Sequence, residues 1–225
     1  MNSAIFKSLL IIFVMGLLCL GAQQTSAQEN ENIMASVKLD SIRNAEPLYY
    51  YGVDFSHVRV SDASKISKRL EYRNHYPGAW IGFLDKEIIM NNWVQRALRK
   101  ESLYYRQNEI ISVSLNMVND FIIAESWSFP LDTVKSSIKQ YNLNEKEGTG
   151  LVLFPENFNK EKEQAMMWVI FFDIKSRSVL WATEVTGNCE HMGYTAHWAS
   201  GIVDGLKKFI RKTYRVPRFP MYDNF

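Results

Sequence analysis

Residues 167–186 read Met167-Trp168-Val169-Ile170-Phe171-Phe172-Asp173-Ile174-Lys175-Ser176-Arg177-Ser178-Val179-Leu180-Trp181-Ala182-Thr183-Glu184-Val185-Thr186. Two runs rich in β-branched and aromatic residues flank the polar junction Asp173–Ser178, the composition of two strands joined by a tight hairpin. Upstream, Gly148-Thr149-Gly150 breaks the chain and Leu151-Val152-Leu153-Phe154 begins a further strand. Downstream of Gly193 the period turns helical. Trp198, Ile202, Leu206, Phe209 and Ile210 form an apolar stripe, Thr195 is the expected N-cap, and Lys207, Lys208, Arg211 and Lys212 gather toward the C-terminal end. Gly201 and Gly205, four apart on one face, predict a close approach of this helix to the sheet.

The first half repeats the alternation of strand and helix. Leu48-Tyr49-Tyr50-Tyr51-Gly52-Val53-Asp54-Phe55 reads as the first core strand. Pro77 opens a predicted long helix that carries Trp80, Leu84, Ile88, Trp93 and Ala97 at three- and four-residue spacing and ends near Arg96, Arg99 and Lys100. Ile111, Val113, Leu115 and Met117 alternate with Ser112, Ser114 and Asn116, which predicts a half-buried strand. Asp132 is the expected cap of a short helix through Tyr141, with Val134 and Ile138 on one side. Strand, helix, strand, helix, three strands, helix implies an α+β fold, loosely α/β, with a single mixed β-sheet and helices packed mostly on one face.

Around this body lie segments of other character. Met1 to Ala27 has Lys7, an apolar run from Leu9 to Leu20 and a small-residue end at Thr25-Ser26-Ala27, the layout of a secretory signal peptide cleaved before Gln28. The bulky Leu18 before Cys19 argues against a lipid acceptor there. Residues 28–46 read as a polar leader or linker, residues 47–215 as a single α+β domain, and residues 216–225 as an extended tail. Its two prolines, Pro217 and Pro220, exclude a helix, and its aromatics suggest packing on the body or on a partner.

Without residues 1–27 the chain has 25 Lys and Arg against 24 Asp and Glu, a balance that gives no charge argument for nucleic acid. Cys189 is then the lone cysteine, so no internal disulfide forms. No apolar run after residue 27 approaches the ~20 residues of a membrane helix.

Leu151–Phe154, Trp168–Asp173, Ser176–Leu180, Gly187, Gly193-Tyr194 and His197-Trp198-Ala199, with the Tyr51–Phe55 strand, resemble a group of uncharacterised exported proteins of Bacteroidota. An Asp-led hairpin followed by a helix is also similar to envelope modules of the TolB N-terminal, penicillin-binding-protein activator and curli-secretion lipoprotein type. The resemblance implies an exported envelope address in the periplasm or at the cell surface. This chain departs from the first group at Asn188-Cys189-Glu190-His191-Met192-Gly193, where the group carries a small, Gly-rich loop.

Three constellations bear on chemistry. Cys189, Glu190, His191 and His197 are donor types that bind zinc or copper, but their spacing supplies no four-coordinate set, and Cys189 beside a histidine is a weak nucleophile signal. Asp54, Ser56 and His57 stand too close in sequence for a triad, and Ser56 and Asp62 read better as turn and cap residues. Tyr49–Tyr51, Tyr104-Tyr105, Trp127, Phe158 and Phe219–Phe225 are candidates for a groove that takes a glycan or peptide, or simply for core. No residue is thereby assigned a catalytic, cofactor or metal role. The expected function is a non-catalytic envelope module that binds a protein partner. The alternatives are a metal- or thiol-dependent enzyme around Cys189, His191 and His197, and a small-ligand or glycan binder.

Overall fold

The computed structural model describes residues 40, 42–62, 75–117, 120–190 and 193–214; for Trp93, Tyr194 and Thr195 it describes the backbone alone. The predicted signal segment, about two thirds of the leader, and the tail lie outside the described residues. The chain divides into Met1–Ser41 and Ile42–Phe225, and the architecture below is that of the second unit.

Its framework is one mixed sheet of six strands: β1 Leu48–Val53, β2 Arg59–Ser61, β3 Leu103–Tyr105, β4 Thr149–Asn159, β5 Gln164–Asp173 and β6 Val179–Asn188. The order is β3-β1-β4-β5-β6, and β2 lies beyond β1 on the same side of β4. β1 and β2 pair parallel to β4, β1 pairs parallel to β3, and β4-β5-β6 form an antiparallel meander. β4 is buried along its whole length, since it has neighbours on both edges and packing on both faces. The predicted hairpin is present: Asp173 exchanges backbone bonds with Arg177 and Ser178, and its Oδ1 accepts from the Ser176 amide at 2.6 Å.

Alternation along the strands feeds two unequal layers. Leu151, Leu153, Phe158, Ala165, Met167, Val169 and Phe171 face the larger one, which is built by helix α1 (Tyr76–Leu84), a π-helical turn (Asp85–Met90), α2 (Trp93–Ala97) and α5 (Tyr194–Tyr214). Val152, Phe154, Ile170 and Phe172 face the smaller one, where α4 (Leu131–Gln140) contributes Val134 and Ile138, and Phe129 and Tyr141 flank it. The α+β class with helices mostly on one face is therefore observed.

Glycines set how closely α5 approaches the sheet. A Cβ on Gly187 of β6 would stand 1.8 Å from the Gly201 carbonyl oxygen and 2.4 Å from the Gly205 nitrogen, so helix and strand meet backbone to backbone. The Gly201–Gly205 spacing serves this contact, and the Phe158 and Trp198 rings stack beside it with centroids 4.9 Å apart.

Several local expectations need correction. Residues 111–117 form no strand. Ile111–Ser114 is one helical turn, α3, because Ser114 is the buried residue: its hydroxyl donates to the Val53 carbonyl at 2.7 Å and accepts from the Phe55 amide, while Leu115 is 42% exposed. The predicted helix over 77–100 is divided into α1, the π turn and α2, with Asn92 at φ 48° between the last two. Trp80, Leu84 and Ile88 keep their buried stripe across the change of pitch. Asp132 does not cap α4; Pro130 does so with extended backbone, and Asp132 instead pairs with Lys135 at 2.8 Å. Thr149 and Gly150 already belong to β4, and α5 starts at Tyr194, so Thr195 lies inside the helix.

Candidate binding edge and the polar clusters around it

The residues after β1 form a structural staple. Asp54 is fully buried; one carboxylate oxygen accepts from the Ser56 amide at 2.9 Å and the other from the Tyr141 hydroxyl at 2.6 Å. His57 turns to α4 instead, with its Nε2 2.9 Å from the Ser137 hydroxyl. Burial holds the His57 pKa below its usual 6.5, opposed by Asp54 and aided by Arg59. Nucleophile, base and orienter are therefore not aligned: the carboxylate is committed to Tyr141 and a turn, and the imidazole to another helix.

At the other end of the sheet Cys189 is buried under α5, in the close packing around Gly201, where a Cβ on that glycine would fall 2.6 Å from Sγ. Burial pushes its thiol up to about 12, which leaves almost no thiolate at neutral pH. The Glu190 amide donates to the Ser200 hydroxyl, and the His197 ring packs edge-on against Trp198 at 4.7 Å. His191 lies outside the described residues. Among the described residues no group of three His, Cys, Asp or Glu side chains is placed to hold a metal.

The aromatic candidates divide. Tyr50, Tyr51 and Phe158 are core; Tyr49 and Tyr104 stack at 5.2 Å with the Arg106 guanidinium over both rings, itself bound to Glu145 at 2.7 Å. A cavity lined by Tyr50, Gly52, Asp85, Gln107 and Ser114 has about 20 Å³, room for one water. A wider, polar hollow of about 590 Å³ lies against Arg43, Leu98, Arg99 and Tyr214, where Arg43 is held by the Thr213 carbonyl and rests on the Tyr214 ring.

The feature that sequence reasoning missed is the outer edge of β6. This ten-residue strand ends the sheet, and no strand among the described residues pairs with its far side. The Asn188 amide points outward to Asp204 at 2.8 Å and the Thr186 carbonyl to Lys208 at 3.3 Å. Both groups of a residue point the same way in an antiparallel strand and the direction alternates, so Ala182, Glu184 and Thr186 present their backbone outward. The Asp204–Lys208 pair, 2.8 Å apart, covers one end of the edge, and a bulge at Leu180 interrupts the other. Between them the backbone from Ala182 to the Thr186 amide forms the open part, where the Glu184 carbonyl accepts a bond of 3.4 Å from the Thr183 hydroxyl.

Beside it the smaller layer does not reach the end of the sheet. Met166, Trp168 and Ala182 are half-buried and Glu184 is exposed, whereas Trp181 on the opposite face is covered by Phe209 at 5.5 Å. That β6 is the terminal strand follows from long-range pairing, to which sequence period is blind. Comparison with protein-family models, with curated proteins and with solved structures finds no match. No described helix is long and apolar enough to cross a membrane.

Proposed function

We propose that this chain is an exported cell-envelope protein that works as a non-catalytic protein-binding module, and that β6 is its binding edge. The open backbone of Ala182–Thr186 carries the reading. An unpaired strand edge is a template for an incoming extended segment, and natural proteins guard such edges along their length unless the edge is used. Here the guards, the Asp204–Lys208 pair and the Leu180 bulge, stand at the two ends and leave the middle open. The export layout of residues 1–27 supports the address.

The test places a photo-crosslinking residue at Glu184 or, as control, at Met90, which is 76% exposed on the π turn, in the exported chain in cells. A discrete adduct is expected at 184 alone and is lost with Ala182→Pro, because proline removes an outward N–H that an edge strand does not need for its own fold. An adduct that survives Ala182→Pro, or labelling at 184 no stronger than at 90, overturns the assignment.

A further inference from the structure

Resting on that reading of the edge, the partner's chemistry is legible in one row of side chains across the sheet. Trp168 and Glu184 are directly opposed on β5 and β6, Phe154 is the β4 partner of Trp168, and Glu156 is the unpaired residue at the irregularity of β4 between Pro155 and Asn157, within electrostatic reach of both Trp168 and Glu184. Trp168 and Glu184 belong to the part of the face that the smaller layer leaves uncovered, whereas Glu156 lies beneath that layer. Glu156 is buried and its Oε1 accepts from the Phe129 amide at 2.7 Å. Burial, and to a smaller extent the neighbouring Glu184 carboxylate, raise its pKa, opposed by the hydrogen bond from the Phe129 amide.

Among the described residues neither carboxylate has a Lys or Arg nitrogen within the 4.0 Å of an ion pair. Arg59, a cation on this face, is turned away: its guanidinium lies 4.8 Å over Trp127 and donates to the carbonyls of His57 and Val58. Lys208 sits on the opposite side with Asp204. The surface thus offers one exposed acid, Glu184, and a half-buried indole without a paired cation, immediately inboard of the open backbone, with the buried Glu156 carboxyl behind them.

We propose that the occupant of the edge is an extended, basic segment of another protein, which adds to β6 along Ala182–Thr186 and places a lysine or arginine against Trp168 and Glu184. A cation over an indole and beside a carboxylate is favoured on both counts. A second copy of this chain fits less well, because antiparallel pairing of two β6 strands through the same window brings Glu184 next to its own counterpart.

The experiment uses the mature chain and three capped seven-residue peptides of alternating threonine and valine, with lysine, norleucine or glutamate at the centre. Binding is read by fluorescence titration and by hydrogen exchange at the amides of Ala182, Glu184 and Thr186. The lysine peptide is expected to bind about fivefold more tightly than the norleucine peptide, from one exposed ion pair and one cation–π contact, and the glutamate peptide most weakly. Glu184→Lys, a surface change that leaves the fold intact, reverses the order. Equal binding by all three with protection of the three amides removes the cation preference and leaves the edge reading standing. A lysine preference without that protection places the basic segment elsewhere and overturns the proposal, and no protection by any peptide overturns both. Protection that grows with protein concentration in the absence of peptide makes a second copy the occupant and likewise overturns it.

Discussion

Replacing Gly187 by alanine separates a backbone-to-backbone contact from ordinary side-chain packing. The added methyl would stand 1.8 Å from the Gly201 carbonyl oxygen and 2.4 Å from the Gly205 nitrogen, and real Cβ contacts do not fall below 3.0 Å, so α5 withdraws by about 1.2 Å. A radial gap of ~0.5–1 Å already forfeits a quarter to a half of each dispersion contact. The residues that lose contact are Trp198, Ile202, Leu206, Phe209 and Ile210, all at most 3% exposed. Overpacking costs about 1–3 kcal/mol where side chains can yield; here the obstacle is backbone, and about 3 kcal/mol is expected. Gly205→Ala meets the flexible Met167 Cε at 2.9 Å and the Gly187 backbone nitrogen at 3.3 Å, and the about 1 kcal/mol of helix propensity it gains offsets these contacts, so it stays near neutral. Gly201→Ala, against Cys189 Sγ at 2.6 Å and Ala165 Cβ at 2.8 Å, falls between them. In urea unfolding followed by tryptophan fluorescence, Gly187→Ala moves the midpoint down by about 1.5 M at a slope of about 2 kcal/mol/M. A Gly187→Ala protein within about 0.5 kcal/mol of the parent, or less damaged than Gly205→Ala, would refute the contact.

Two further outcomes follow from the staple after β1. Tyr141→Phe removes the donor to one oxygen of the fully buried Asp54 and costs about 1–3 kcal/mol in the same assay, and a loss below about 0.5 kcal/mol would show that another donor serves that carboxylate. His57 has its pKa lowered from 6.5, first by burial, so on acidification the unfolded chain takes up the proton before the folded one does. Its contribution is complete above about pH 6.5 and is lost as pH falls below that value. Unfolding curves between pH 5 and 8 should steepen in the parent relative to His57→Gln, and an imidazole NMR titration above pH 6.5 would contradict the burial argument.

What the sequence disclosed and what it hid have a common cause. The β5-β6 hairpin, the strand at 151–154 and the α5 stripe are patterns read from local composition and period, and each is present, the α5 stripe facing the core. Gly201 and Gly205 were legible because a four-residue spacing fixes a helix face, although the third glycine of the contact, Gly187, shows only in three dimensions. Residues 111–117 misled because alternation was read as apolar-in, whereas a loop carbonyl and amide of the first strand's end drew Ser114 inside. The Asp54–Tyr141 bond spans 87 positions, and the Trp168–Glu184 pair depends on strand register. Neither leaves a periodic trace. The residues most conspicuous as letters, Cys189 and His197, are held in the packing of α5.

The end-to-end placement of β1 and β2 along β4 also sets a timetable. Leu48 finds its partner at Thr149 and Arg59 at Asn157, each about a hundred positions later. At ~5–20 residues per second of synthesis, the aromatic run Leu48-Tyr49-Tyr50-Tyr51 therefore emerges some 5–20 s before the strand that buries it. In the interval its contact with β3 is a three-residue parallel pair, too little to stand alone in water. The first strand made is thus among the last that can be sheltered, and until then a sticky, strand-forming segment depends on whatever holds nascent chains apart.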